Sequence, residues 1–215
     1  MSHRIALIHA LRHSPPPIEA AFAALWPGQR LMNLLDDSLS ADLARDGALT
    51  PAMTQRFLTL GRYAVDTGAE AILFTCSAFG PCIEAVAAAH QGLPVLKPNE
   101  AMLEEIAASG ARRVGLLASF PGTLTSMPPE FPPGIEVVPC LAEGALAALD
   151  DGDVATHDRL VAEAAARLKG CDAIALGQFS LAHVGPAVQA ATGLPVFTTP
   201  GSAVRRLRRL LGDRA

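Results

Sequence analysis

Cys76 is the residue of this chain whose type and position best suit chemistry. It follows an apolar run, Ala71–Thr75, that predicts a buried parallel strand, and a helix is predicted to begin soon after it, around Pro81. Backbone N–H groups near a helix start lower the pKa of a thiol and can also bind a carboxylate. The position therefore predicts a reactive thiol with a pKa below the usual value of about 8.5. The alternative is an ordinary buried cysteine, which is the common fate of a free one.

An internal repeat places a different residue at the equivalent position of the second half. The segment from Gly68 to Cys76 aligns with the segment from Gly170 to Gln178, and Gly-Leu-Pro-Val follows in both copies. Cys76 and Gln178 lie 102 residues apart, as do the two glycines. A duplicated fold brings two equivalent loops together across a cleft, so the sequence predicts a thiol on one loop facing a neutral amide on the other. Glutamine hydrogen-bonds but neither gives nor takes a proton in the way that a thiol can.

Composition narrows the classes of function. The net charge is −4, which argues against a general nucleic-acid binder, because such proteins neutralise phosphates with basic residues. The apolar runs are all shorter than the roughly 20 residues of a membrane span. Four cysteines at irregular spacing indicate neither a disulfide framework nor a zinc finger. The amino-terminal residues enter a strand pattern without the apolar stretch of a secretory signal. We therefore expect a cytoplasmic protein with no nucleic-acid or membrane partner.

Alternating aliphatic runs and helical patterns are typical of parallel β-α-β units. Strands are predicted at Arg4–His9, Leu31–Leu34, Ala71–Thr75, Val95–Leu96, Arg113–Ala118, Ile135–Val138, Ala173–Leu176 and Val196–Thr198. Start and stop signals predict helices over 51–67, 81–90, 100–109, 154–169, 186–191 and 201–211, with Thr50, Asn99 and Asp153 as caps. The fold class is thus α/β, with two pseudo-symmetric lobes that each contain a mostly parallel sheet flanked by helices. We expect the lobes at 1–98 and 99–199, with the C-terminal segment 200–215 packing back on the first.

Two proline-rich segments, Ser14–Pro17 and Met127–Pro133, each follow the first strand of their half. Repeated proline fixes φ and does not extend a helix, so a stiff surface loop is one interpretation. The other is a loop that lines the cleft, because loops after the carboxyl ends of strands bind ligands in open α/β sheets.

The sequence resembles the aspartate/glutamate racemase superfamily over nearly its whole length. The resemblance is carried by the doubled architecture, by Ala-Ile-Leu-Phe-Thr-Cys76-Ser-Ala and by Val114-Gly-Leu-Leu-Ala-Ser-Phe-Pro-Gly-Thr123. The superfamily includes aspartate, glutamate and hydantoin racemases, maleate isomerase and arylmalonate decarboxylase. The resemblance implies a small-molecule carboxylate substrate, no metal or organic cofactor, and a homodimer as the common assembly. In the racemases, two cysteines on opposite faces of the substrate remove and return an α-proton. Cys76 matches the first of them, whereas Gln178 stands at the second.

That departure leaves three options for the chemistry. His183 or His9 replaces the second base, Cys76 protonates one face alone after loss of CO2 or another group, or Cys76 attacks a double bond as a nucleophile. Gln178 then orients a substrate carboxylate or amide. The resemblance thus favours a racemase-like isomerase. A single-thiol lyase or decarboxylase is the second reading, and a non-catalytic binder of small ligands on the same fold is the third.

The resemblance also implies a set of substrate-binding residues, because the loop after the first strand of each half binds carboxylates in the family. The candidates are His9, Ser14, Ser77, Ala78, Ser119, Thr123, Thr125 and Phe179, and no metal ligands are expected. Plain turn chemistry also explains the hydroxyl residues. His183 has as much reason to cap or pack as to transfer a proton. His13, His90 and His157 are expected at the surface.

Overall fold

The computed structural model describes residues 2–212, so the last residues of the predicted segment 200–215 lie outside the described part. The chain forms two compact units. The first unit is discontinuous and contains the residues up to Pro98 and those from Ala203 onward. The second unit is the continuous segment Asn99–Ser202.

The first unit is a four-stranded parallel sheet with the order β2-β1-β3-β4. Its strands are β1 Arg4–His9, β2 Arg30–Leu35, β3 Ala71–Phe74 and β4 Val95–Leu96. Its helices are α1 Pro15–Leu25, α2 Ser38–Asp46, α3 Pro51–Asp66 and α4 Gly80–Ala89, with a 3-10 turn at Ser77–Phe79. All four residues of β3 are buried, as expected for a central strand covered on both faces.

The second unit repeats this topology with the order β6-β5-β7-β8, again with parallel pairing. Its strands are β5 Arg113–Ala118, β6 Glu136–Leu141, β7 Ala173–Leu176 and β8 Val196–Thr198. Its helices are α5 Glu100–Ser109, α6 Pro121–Ser126, α7 Ala145–Asp150, α8 Val154–Ala165 and α9 Gly185–Thr192, with 3-10 segments at Pro128–Glu130 and Phe179–Val184. Helix α10, Thr199–Leu211, follows β8. The predicted fold class, two parallel α/β halves built on one repeat, is confirmed.

Two of the three predicted caps are confirmed and one is wrong. The Thr50 side chain accepts a hydrogen bond from the backbone N–H of Met53, and the Asp153 side chain accepts one from Thr156. Asn99 makes no such bond to α5, because its side-chain amide instead donates to Glu130. Helix α8 also ends at Ala165 rather than at residue 169.

The proline segment after β1 is a helix start and not a loop. Pro15, Pro16 and Pro17 form the first turn of α1. The first N–H groups of a helix have no acceptor within it, so proline loses nothing there, and its fixed φ suits the helix. The second segment contains the short 3-10 turn Pro128–Glu130. The loop interpretation is therefore wrong for Ser14–Pro17 and incomplete for Met127–Pro133, and the cleft-lining role of these segments stays a prediction.

The strand predicted to stop at Val138 continues through Pro139 to Leu141. Proline is tolerated there because β6 is an edge strand, where one side of the backbone has no neighbour to pair with. Within the described residues, no helix is both long and apolar enough to cross a membrane.

Candidate functional site

Cys76 and Gln178 occupy equivalent positions in their two units. Each is the second residue after the third strand of its unit, each has an extended backbone, and each immediately precedes a 3-10 segment that leads into a helix. The correspondence that the repeat predicted is therefore present within each unit. The prediction that the two residues face each other stays a prediction.

The half-buried Cys76 lies at a narrow, mostly apolar pocket of the first unit. The pocket is lined by Ile8, His9, Ala10, Leu39, Phe57, Phe74, Cys76 and Phe79. Helix α4, which follows the turn after Cys76, packs against α3 at Gly61. A side chain at position 61 would collide with Val86 of α4. This close helix contact fixes the segment that carries the thiol.

The expectation of a lowered thiol pKa is wrong. Burial raises the pKa of Cys76 to about 11, although the backbone N–H of Ala78 and the hydroxyl of Ser40 form hydrogen bonds with the sulfur. The free energy lost when the thiolate is removed from water exceeds the free energy gained from these two hydrogen bonds. At neutral pH Cys76 is therefore a thiol, which is a proton donor and not a base.

His9 is part of a buried network and not a free base. Its Nε2 lies 2.9 Å from Oδ1 of Asn33 on β2, and its Nδ1 lies 2.9 Å from the Thr75 hydroxyl. The Asn33 amide nitrogen donates to Glu19, so Oδ1 is the acceptor and His9 carries its proton on Nε2. Burial lowers the His9 pKa, against the opposing effects of Asn33 and Glu19. His9 lines the Cys76 pocket, but both of its ring nitrogens are already hydrogen-bonded.

The other first-unit candidates are placed close to the thiol or at a helix end. Ser77 and Ala78 form the turn after Cys76, and the Ala78 N–H is the one bonded to its sulfur. Ser14 is buried immediately before α1, where its side chain makes no capping bond.

Gln178 is anchored by its amide oxygen. Oε1 accepts hydrogen bonds from the backbone N–H of Ser119 at 2.6 Å, from the Ser119 hydroxyl at 3.2 Å and from the N–H of Phe120 at 3.2 Å. Three donors on one atom identify that atom as the oxygen. The amide nitrogen makes no hydrogen bond to any described residue, so Gln178 presents a donor.

The remaining second-unit candidates separate into two groups. Thr123 is buried, with its methyl group next to Gly177, and Phe179 is buried at the start of the 3-10 segment Phe179–Val184. The structure thus brings both close to Gln178 and Ser119. Thr125 lies on an exposed position of α6 and does not join this group.

His183 forms a second cluster with α8. Its Nε2 lies 2.7 Å from Oδ1 of Asp158, and Nδ1 of His157 lies 2.7 Å from the same oxygen. The two imidazole rings stack with centroids 5.4 Å apart. His157 is fully buried, so the expectation that it lies at the surface is wrong. It sits on the inward face of α8 beside Val161, which is also buried.

Sequence reasoning missed two contributors. Helix α2 supplies Leu39 to the Cys76 pocket and Ser40 to the sulfur, and Asp158 holds the two histidines. The acidic pair Asp36-Asp37 before α2 and the glycine after it, Gly47, are ordinary helix boundary signals that could have revealed this helix. Nothing in the spacing of residues 157, 158 and 183 pointed to their contact.

A profile of the Asp/Glu/hydantoin racemase family matches residues 16–207. The chain belongs to this family. No curated protein matches the chain significantly in sequence. Solved structures of the family's fold are nevertheless similar over almost its full length.

Three of these structures illustrate the likeness. Glutamate racemase from Francisella tularensis, in complex with D-glutamate, has a TM-score of 0.74 and 17% identity, over 98% of this chain and 81% of that one. Allantoin racemase from Klebsiella pneumoniae has a TM-score of 0.73 and 20% identity, over 98% and 88%. A Gly-to-Cys variant of arylmalonate decarboxylase, in a sulfate-associated form, has a TM-score of 0.69 and 22% identity, over 99% and 94%. At these identities the likeness shows a shared fold.

Proposed function

We propose that this chain catalyses cofactor-independent chemistry at the carbon next to a carboxylate of a small acid, with Cys76 as its one catalytic thiol. Family membership supports an isomerase of the racemase type acting on a carboxylate or amino-acid-like substrate. The observation that carries the proposal is the placement of Cys76 two residues after the central strand β3, at the carboxyl end of a parallel sheet where α/β folds bind ligands.

The role of Cys76 in this proposal is to donate a proton. With its pKa raised to about 11, the sulfur holds its proton at neutral pH. A carbanion at the α-carbon, delocalised into the neighbouring carboxylate, takes the S–H proton, so a C–H bond forms and a thiolate remains. The thiolate then recovers a proton from water. In the isomerase this carbanion forms by the reverse step: the small fraction of Cys76 that is thiolate at neutral pH removes the α-proton, so the C–H bond breaks and an S–H bond forms, and the raised pKa makes that thiolate a strong base.

Gln178 supports a one-thiol mechanism rather than a symmetric two-base exchange. Its oxygen is held by Ser119 and Phe120, and an amide cannot serve as the second proton carrier. Its amide nitrogen, which bonds to no residue that the structure describes, suits a hydrogen bond to a substrate carboxylate. In this proposal Gln178 therefore orients the substrate and leaves proton transfer to the thiol.

A lyase is the second candidate, and the protonated state of Cys76 is the observation that favours it. In that reaction the bond between the α-carbon and a leaving CO2 breaks, and its electron pair stays on the α-carbon. The neutral thiol then protonates this carbon on one face. No thiolate is needed before the bond breaks, whereas racemisation begins with a base that removes a proton.

Incubation of candidate acids in D2O tests the proposal. Amino acids, hydantoins and disubstituted malonates are each followed by NMR and chiral chromatography, with Cys76→Ala as the inactive variant and Cys140→Ala as the matched control. Racemisation with α-deuteration supports the isomerase, and loss of CO2 with deuterium on one face supports the lyase. Cys76→Ala should lose at least about 100-fold in rate, while Cys140→Ala should retain activity. Turnover that survives in Cys76→Ala would contradict the proposal, and binding without exchange or turnover would identify a binder.

A further inference from the structure

We propose that His157, Asp158 and His183 of the second unit form a binding site for a divalent transition-metal ion such as Zn2+ or Co2+. Each residue offers one ligand atom, and these three atoms all lie within 4.8 Å of one another. Bonds from zinc to imidazole nitrogen or carboxylate oxygen measure about 2.0–2.2 Å, so two ligands of one ion lie at most about 4.3 Å apart. A small rotation of the exposed His183 side chain closes the remaining distance.

The fold assembles this cluster from two separate elements. His157 and Asp158 lie in the first turns of α8, and His183 lies in the 3-10 segment Phe179–Val184. The two rings stack at an interplanar angle of 19°, and each directs a nitrogen to the same Asp158 oxygen. The donor atoms therefore converge before any ion is bound, which reduces the conformational entropy lost on binding.

The charge and donor types suit a transition metal. Two imidazoles and one carboxylate are the ligand set of many zinc and non-haem iron sites, and three protein ligands leave room for water. Within the described residues, Asp158 pairs only with the two histidines. The neighbouring Arg159 is directed to Glu163, at 2.8 Å. A cation at this position would therefore not displace a basic side chain.

The surroundings of the His157 ring limit the affinity for a metal ion. Nε2 of His157 is buried and has no hydrogen-bond partner among residues 2–212. An ion on Nδ1 leaves the ring proton on Nε2, where an acceptor would normally strengthen the ligand. We therefore expect weaker binding than in a site whose histidines are all hydrogen-bonded behind the metal. Because His183 lies in the segment that directly follows Gln178, a bound ion would fix this segment to α8.

The site does not depend on the proposed catalysis, because its test requires no substrate. Untagged protein is titrated with Co2+ and with Zn2+ by calorimetry, and the visible absorption of Co2+ is recorded. The variants are His183→Ala, which changes an exposed side chain, and Asp158→Asn, with His90→Ala as the control at a half-exposed histidine outside the cluster. Circular dichroism verifies that each variant is folded.

We expect one ion per chain in the wild type and in His90→Ala, with Co2+ bands typical of nitrogen and oxygen ligands. His183→Ala and Asp158→Asn should each weaken binding at least about tenfold. The melting temperature should rise with added Zn2+ in the wild type but not in His183→Ala. Absence of saturable binding, equal affinity in His183→Ala, or a thiolate-to-cobalt charge-transfer band would each overturn the site. Absence of binding, or equal affinity in His183→Ala, leaves the carbon chemistry of Cys76 unaffected.

Discussion

At the scale of a single residue, two opposing effects determine the pKa of the Cys76 thiol. Ala78 of the 3-10 turn and Ser40 of α2 each form a hydrogen bond with the sulfur, and the apolar pocket removes it from water. Burial dominates because the loss of thiolate hydration exceeds what two hydrogen bonds provide. An acid that stays protonated at neutral pH is suited to deliver a proton to a reactive carbon.

Iodoacetamide labelling should therefore find Cys76 slow and not fast. With a pKa of about 11, its thiolate population near pH 8 is roughly two orders of magnitude below that of an ordinary cysteine with a pKa of about 8.5. Peptide mapping by mass spectrometry should show a labelling rate that rises about tenfold for each pH unit up to about pH 9.5, with no plateau. A plateau below about pH 8.5 would mean that the turn lowers the thiol pKa after all.

Gln178 contributes to stability through the three hydrogen bonds that it accepts. Gln178→Met removes the acceptor for the N–H of the buried Ser119, and an unsatisfied buried donor costs about 1–3 kcal/mol. Urea unfolding should report this loss. The control is Gln189→Met on the exposed face of α9, which should change the free energy of unfolding by less than about 0.5 kcal/mol. Equal losses in the free energy of unfolding for Gln178→Met and Gln189→Met would show that water replaces Gln178 as the acceptor.

At the scale of elements, α2 matters because it carries two of the Cys76 contacts. Asp36, between β2 and α2, accepts hydrogen bonds from Ser38 and pairs with Arg56 of α3 at 2.6 Å. Partial burial by itself would raise the Asp36 pKa. The hydrogen bonds from Ser38 and Arg56, together with the Arg56 charge, outweigh the effect of burial, so the pKa lies below its ordinary value. This pair fixes the start of α2 against α3.

Stability should therefore depend on pH through Asp36. Its folded-state pKa lies below the unfolded-state value of about 3.9, so the pair stabilises the fold above about pH 4 and is lost as the pH falls through the lowered pKa. Asp36→Asn should cost about 1 kcal/mol near pH 7, a figure reduced for solvent screening. The difference in the free energy of unfolding between Asp36→Asn and wild type should vanish in acid. Asp37→Asn, next in sequence but in an exposed pair with Arg12, should show almost no effect at either pH. A difference that persists in acid would assign the effect of Asp36→Asn to something other than ionisation.

At the scale of the whole molecule, α10 completes the first unit with residues from the far end of the chain. Ala203, Val204 and Leu207 are buried, and from Ala203 onward the chain groups with the first unit. Arg208 donates to the carbonyl oxygen of Leu25 at the end of α1. The arginines of this helix alternate in sequence with these apolar residues.

Leu207→Ala should destabilise the protein by about 2–5 kcal/mol, because it opens a cavity at a fully buried site. Leu210→Ala on the same helix is the matched control, since the Leu210 side chain is 46% exposed and its truncation should cost less than about 1 kcal/mol. Chemical unfolding monitored by the fluorescence of Trp26, the one tryptophan of the chain, would measure both. Comparable losses for the two variants would contradict the packing of α10.

The sequence by itself determined the repeat, all eight strands and the family, because these depend on local apolar patterns and on short motifs that persist in both halves. It also located Cys76 and Gln178 at equivalent positions. It could not determine the protonation state of the thiol, because that depends on how deeply α2 and the neighbouring helices bury the sulfur. It could not reveal that Gln178 is anchored to Ser119, or that His157, Asp158 and His183 meet. Gln178 and Ser119 lie 59 positions apart, and His183 and Asp158 lie 25 apart, so only tertiary packing brings them within hydrogen-bonding distance.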